Sequence, residues 1–363
     1  MLLARRRPAI AAIELQPETP DNSKRGVGAM PARIVVLVLA AVALAGCASF
    51  SEGGGRLEVA ELLNQPTLLV ATTRKPVNGA RAAPWFGPER GRLSLARVKL
   101  SPPGEGRFSR AAIGLGGWRL GSVETVPHVN DLLKDVTTTR DVLLYVHGYN
   151  QTFETGAIHA AQLAQGLRFG GETMLFSWPS KASLLDYGYD RESAMWSRDS
   201  LEQVLAKLIA APATARIHIV AHSVGTMLAM EALRQIYARR ADAVASRIGA
   251  VIFAAPDIDM DVFASSVERI GPLAARITVI AATNDRALAL SGWIAGGVTR
   301  VGAAEQAQLK ELGLHVIDTS GQGLGVINHD SSMSDPRILQ VIRRALDGRP
   351  PDAPEWQSNA NAG

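Results

Sequence analysis

Short runs rich in Val, Ile, Leu and Ala recur along the chain, and between them the apolar positions change to a helical period. "TLLVAT" (67–72) and "LSLARVKL" (93–100) read as early strands. "RDVLLYVHGYN" (140–150) is an apolar run entering a glycine turn, and "TMLFSWPS" (173–180) is another, stopped by Pro179. "RIHIVAHS" (216–223), "AVIFAAPD" (250–257), "ITVIAATND" (277–285) and "LHVIDTS" (314–320) add four more. Among the intervening segments, "FETGAIHAAQLAQGLRFGG" (153–171) predicts a helix ended by Gly170 and Gly171. Leu201, Val204, Leu205, Leu208 and Ile209 fall at i, i+3, i+4, i+7 and i+8, the stripe of a helix seated on a sheet. A further helix is expected from about Val224 to Arg239. Val- and Ile-rich strands alternating with helices predict an α/β fold: a mostly parallel central sheet covered by helices on both faces.

Composition narrows the class. Apolar residues at 47% and charged residues at 20% are those of a core-forming globular chain. The formal charge of +4 is concentrated near the start: residues 1–46 hold six of the 38 Lys and Arg but only three of the 34 Asp and Glu. The nearly neutral remainder gives no electrostatic reason to expect nucleic acid. Cys47 is the single cysteine, which excludes an intramolecular disulfide and any cysteine-based zinc site. The sequence holds neither the H-E-x-x-H pattern nor a Gly-rich phosphate loop ending in Lys-Ser or Lys-Thr, so no metal or cofactor is implied.

The surroundings of Cys47 carry more information. Arg33 precedes an apolar run from Ile34 to Ala45, too short to span a bilayer of about 30 Å hydrocarbon but suited to a secretory signal. "LAGC" (44–47) resembles the lipobox of bacterial lipoproteins. That resemblance implies lipidation at Cys47 and attachment to the cell envelope, with Ala48 after the cysteine suggesting the outer membrane, facing the periplasm. The expected organisation is a dispensable extension over 1–29, a signal peptide over 30–46, a tether over 47–64, one α/β domain over 65–347 and a disordered tail over 348–363.

In open α/β sheets, functional groups gather beyond the carboxyl ends of the strands. The strand ends present His147-Gly148-Tyr149-Asn150, Ser177-Trp178, His222-Ser223, Asp257 and Asn284-Asp285, with His329 following the last strand. This set contains a nucleophile, an acid and a base in the order Ser, Asp, His, as in α/β hydrolases. "AHSVG" (221–225) is the G-x-S-x-G pattern with alanine at its first small position. Between a strand and a helix it predicts a sharp turn that lifts the Ser223 hydroxyl and places the Val224 amide at a helix start, ready to donate to an oxyanion. "HGYN" (147–150) should supply a second donor, the Tyr149 amide. Of the seven histidines, His329 lies on a loop able to fold back over the serine and is the expected base. The acid is Asp285 or Asp257; Asp285, two strands after the serine strand, is favoured, and Asp257 in "PDID" also fits a helix cap.

The motifs "LLYVHGYNQTF", "LFSWPS", "DYGYDRESA", "IVAHSVGTMLAMEAL", "FAAPDIDMDVF" and "NDRALALS" occur in one order across roughly residues 66–335. In this the chain resembles a bacterial α/β-hydrolase family catalogued as domain of unknown function 900. The resemblance implies the α/β-hydrolase fold and a triad of Ser223, Asp285 and His329. Asn328 stands before the histidine where the family tends to have glycine. "DYGYDRESA" is expected to form a polar network ordering the segment ahead of a helix, with Tyr187, Tyr189, Asp190 and Arg191 as alternative pocket-lining residues. The expected activity is hydrolysis of a small-molecule or lipid ester through an acyl-enzyme. The rival expectation is a non-catalytic, lipid-anchored scaffold on the same fold.

Overall fold

The computed structural model describes residues 67–81, 83–101, 117–128, 131–132, 140–183, 185–320 and 335–349. The expected signal, Cys47, the tether, the tail from residue 350 on, and the loop bearing His329 lie outside the described residues.

Among the described residues, nine strands form one sheet: β1 (Thr67–Pro76), β2 (Phe86–Ser101), β3 (Arg119–Val126), β4 (Arg140–Val146), β5 (Glu172–Ser177), β6 (Thr214–His222), β7 (Ile248–Ala254), β8 (Ile277–Ala281) and β9 (His315–Asp318). Their spatial order is β3-β2-β1-β5-β4-β6-β7-β8-β9. All neighbours from β1 to β9 pair in parallel, while β2 and β3 add antiparallel strands at one edge. The helices are α1 (Phe153–Leu167), α2 (Tyr187–Trp196), α3 (Arg198–Ala210), α4 (Val224–Arg247), α5 (Met260–Ile270), α6 (Arg286–Ile294), α7 (Gln306–Glu311) and α8 (Pro336–Leu346).

Side chains alternate between two cores because successive residues of a strand point to opposite faces. In β4, Val142, Leu144 and Val146 join one apolar layer with Leu201, Val204 and Leu208 of α3, and with Leu228 and Leu233 of α4. Leu143 and Tyr145 join the other, with Phe153, Ala157 and Leu163 of α1 and with Ile338 and Ile342 of α8. A sheet buried on both faces explains why the strand sequences read as continuous apolar runs.

One strand has no counterpart in the sequence pattern, and two local expectations are corrected. The edge strand β3 carries mostly exposed and half-exposed residues, so no apolar run announces it. Helix α1 stops before the glycines: Arg168 turns left-handed (φ 50°), and its amide and that of Phe169 bond back to carbonyls of the last turn. Helix α4 continues past Arg239 to Arg247, interrupted where Arg240 leaves helical geometry (φ −147°).

The crossover from β4 to β5 runs to one side of β4, and the next, from β5 to β6, returns past it to the other side. The strand order therefore reverses between β4 and β6, and ligands of open α/β sheets settle in the crevice beyond such a reversal. "HGYN" follows β4, and Ser223 follows β6.

Candidate active site

Ser223 is the junction between β6 and α4, and it occupies φ 51°, ψ −126°. A non-glycine residue there is strained by roughly 1–3 kcal/mol and persists only where its surroundings hold it. Four hydrogen bonds do so. Its amide donates to Ala254 O of β7 (3.0 Å), and its carbonyl accepts from Thr226 N (3.0 Å), Thr226 Oγ1 (2.6 Å) and Asp257 N (3.3 Å). Strand β6 delivers the chain in register between Val146 and Phe253, both opposite Ala221. As the first residue of α4, Val224 has an amide with no acceptor inside the helix, at its positive end.

The loop after β4 is pressed against this turn. A Cβ on Gly148 would lie 3.1 Å from Ser223 Cβ and 2.6 Å from His222 Nδ1, so only glycine lets the two loops approach this closely. Beyond it, Thr152 caps α1 in a reciprocal box with Thr155 (3.1 and 2.8 Å), which fixes where the loop ends. Tyr149 bonds through its hydroxyl to Ser183 O (2.8 Å) and meets Tyr187 edge-on at 5.5 Å. The loop is thus anchored on both sides of the Tyr149 amide.

His147 is a structural member of the site. Its buried ring stacks on Trp178 at 4.8 Å. Nε2 accepts from Trp178 N (3.1 Å), which leaves Nδ1 to donate to Gly148 O (2.8 Å), while Trp178 Nε1 donates to His147 O (2.8 Å). Burial, aided by the nearby Arg74 charge, pushes its pKa well below the usual imidazole value. His218, buried in β6, is lowered too, by burial; it accepts from Ala250 N (3.1 Å) and donates to Asp141 Oδ2 (3.3 Å). These groups set a pH dependence. Below about pH 6.5 the unfolded chain takes up protons at both imidazoles more readily than the folded chain does, so acid favours unfolding. Urea unfolding between pH 6.5 and pH 5 should show stability falling as the pH falls, with about 1.4 kcal/mol per pH unit as the ceiling for each such histidine. A flat profile across that window would contradict the neutral, buried assignment.

The two candidate acids differ in environment. Asp257, following β7, is buried, and both of its oxygens are engaged: Oδ1 with Arg300 Nε (3.0 Å) and Ser291 Oγ (2.8 Å), Oδ2 with Tyr187 Oη (2.7 Å). Asp285, following β8, caps α6, its Oδ1 accepting from Ala287 N (2.9 Å) and Leu288 N (3.0 Å). It follows β8, the second strand along from the Ser223 strand β6. The structure thus brings Ser223, Val224, Tyr149 and Asp285 to one sheet edge; His329 and Cys47 lie outside the described residues.

Two features of this edge escaped the sequence pattern. Arg74, at the end of β1, is fully buried and ties the loops together: Nε donates to Ser177 Oγ (2.9 Å), Nη1 to Ser180 O (2.9 Å) and Nη2 to Gln151 O (2.6 Å). Burial lowers its pKa to about 10. The Asp257–Arg300 pair is the other. "DYGYDRESA" forms the expected network: Asp190 accepts from Ser180 Oγ (2.5 Å) and Lys181 N (2.9 Å), and burial raises its pKa. Among the described residues, no cluster of three or more His, Cys, Asp or Glu is placed to hold a metal, and no helix is long and apolar enough to cross a membrane. Two hollows, one bordered by Phe86, Leu95 and Val204 and one by Arg140, Arg216 and His218, have no Ser223 in their lining.

The sheet and its two helical layers are those of an α/β hydrolase. The chain belongs to the family described as alpha/beta hydrolase of unknown function (DUF900), which matches residues 124–345. Solved structures similar to it include an esterase from Pyrobaculum calidifontis (12% identity, 88% of this chain and 94% of that one, TM-score 0.38). An esterase from Pyrococcus furiosus (10% identity, 82% and 98%, TM-score 0.41) and lipase B from Aspergillus fumigatus (13% identity, 60% and 55%, TM-score 0.34) are also similar. No curated protein matches the sequence.

Proposed function

We propose that this protein is a serine hydrolase that cleaves carboxylic esters through an acyl-enzyme. The observation that carries the reading is Ser223 held at φ 51° on the strand-to-helix turn, with Gly148 packed against it at the reversal of strand order. A strained main chain with so many restraints is the device that presents a nucleophile. In the proposed reaction, His329 takes the proton of the Ser223 hydroxyl as its oxygen bonds to the ester carbonyl carbon. Asp285 holds the imidazole in the required tautomer and offsets its positive charge. Asp257 is the poorer candidate for that task, because three described side chains already engage its oxygens. The amides of Val224 and Tyr149 stabilise the oxyanion, the alcohol leaves with the proton from His329, and water releases the acid in a second, equivalent cycle.

The same reading places the chain on the bacterial cell envelope, lipidated at Cys47 and facing the periplasm from the outer membrane, with a small-molecule or lipid ester as substrate. The test is a fluorophosphonate probe applied to envelopes of cells expressing the full chain. A single adduct is expected, on the peptide bearing Ser223, in parallel with loss of ester turnover. The labelled protein should fractionate with detergent-soluble envelope material and be released by Cys47→Ser. An unreactive Ser223 in folded protein would leave the scaffold reading in place of the enzyme.

A further inference from the structure

Arg191 lies on the second turn of α2, half-buried, and its guanidinium reaches across to α4. Nη1 donates to Tyr187 Oη (3.2 Å) and Nη2 to Met227 Sδ (3.5 Å), while its central carbon lies 5.9 Å from the Tyr187 ring centre. Each of these neighbours leads back to the nucleophile turn. Met227 follows Ser223 by four residues, one turn along α4. Tyr187 donates to Asp257 Oδ2 (2.7 Å), and the Asp257 amide donates to Ser223 O (3.3 Å). The Tyr187 ring also meets Tyr149, whose amide is the proposed second oxyanion donor, at 5.5 Å.

The partners of this guanidinium are both neutral, one of them a thioether, which is a weak acceptor. Among the described residues no carboxylate lies within ion-pair distance of Arg191. Buried Arg74 also has neutral partners, but they are strong acceptors, among them two main-chain carbonyls (2.9 and 2.6 Å), and Arg300 pairs with Asp257 (3.0 Å). The one acid linked to it through Tyr187 is Asp257, and Arg300 already compensates that charge. A partly desolvated cation held by neutral acceptors is costly, and an anion repays the cost with short, charge-assisted hydrogen bonds.

We propose that Arg191 is the anion anchor of the substrate site, so that the ester carries a carboxylate or phosphate group close to its scissile carbonyl. The inference rests on Ser223 marking the reaction centre. It names a substrate class within the esters and gives the arginine of "DYGYDRESA" a binding role beyond ordering its own segment.

Two matched pairs of probes test it on the full chain. Mono-4-nitrophenyl glutarate against 4-nitrophenyl valerate places the charge on the acyl side, and 4-carboxyphenyl acetate against phenyl acetate places it on the leaving side. The wild type is expected to favour the anionic member of at least one pair by about 10- to 100-fold in kcat/KM, mainly through KM. Arg191→Met, which keeps an apolar stem, should collapse that ratio by about 10-fold or more. Arg191→Lys, which keeps the charge without the planar fork, should retain part of it. Binding of the corresponding 4-nitroanilides and acetanilides to Ser223→Ala protein, with and without Arg191→Met, gives a readout independent of turnover. Anion-selective binding that depends on Arg191, without any ester turnover, would sustain the anchor and sink the hydrolase. Equal binding and turnover of charged and neutral members, or a preference unchanged in folded Arg191→Met and Arg191→Lys proteins, would overturn the anchor while leaving the hydrolase standing.

Discussion

Replacing Ser223 with alanine is expected to cut ester turnover by about four orders of magnitude or more while the protein stays folded. The loss is large because the hydroxyl is the group that becomes acylated, and oxyanion donors left behind support only residual catalysis. The fold survives because the turn is held by main-chain bonds: the amide to Ala254 O, and the carbonyl from Thr226 and Asp257. None of these needs the side-chain oxygen of residue 223. A second substitution sharpens the test. Ser223→Gly removes the same hydroxyl but also the Cβ that makes φ 51° unfavourable, so it should be more stable than Ser223→Ala by about 1 kcal/mol. Activity with 4-nitrophenyl acetate and urea midpoints for both variants check the pair. An active alanine variant would remove Ser223 from the chemistry, and a glycine variant less stable than alanine would deny the strain.

Much of this edge is legible in the sequence because it is built from short-range signals. The strand before Ser223 is a Val- and Ile-rich run, and small residues at 221 and 225 flag a crowded turn. The conformation at Ser223 then follows from local sterics, and a sheet buried on two faces leaves continuous apolar runs in sequence. What stayed hidden depends on contacts distant in sequence. In sequence Arg74 is an ordinary charged residue near the end of a strand; it becomes a hub only because β1 lies beside β5, 103 residues away in the Arg74–Ser177 bond. Asp257 looked like a helix cap, a task that Asp259 performs for α5, and its pairing with Arg300 depends on a loop beyond α6 that has no pattern of its own. Strand β3 is silent in the sequence for a different reason. An edge strand with little to bury has no period to display. His147 illustrates the opposite hazard, a histidine on the right edge whose two ring nitrogens are already committed to main-chain partners.

Gly225 carries the other large expectation. A Cβ there would sit 2.3 Å from the His147 carbonyl oxygen and 2.9 Å from that of Val146. Both atoms belong to the main chain at the end of β4, where a side chain cannot rotate away to make room. Relief requires α4 and β4 to separate by about 1 Å if ordinary contact is to be restored. That displacement acts on two of the proposed catalytic parts together, because Val224 starts α4 and Gly148 packs on Ser223. Gly225→Ala is therefore expected to cost about 3 kcal/mol in urea unfolding and to lower kcat/KM by about 100-fold in whatever protein remains folded. The control is Gly188→Ala in α2, where an added Cβ meets nothing within 4 Å. There the methyl group should be neutral or stabilise by up to about 1 kcal/mol, as alanine does in helices. If Gly225→Ala matched Gly188→Ala in stability and turnover, the tight seating of the nucleophile turn against β4 would be wrong, and with it the reason for a small residue two positions after the serine.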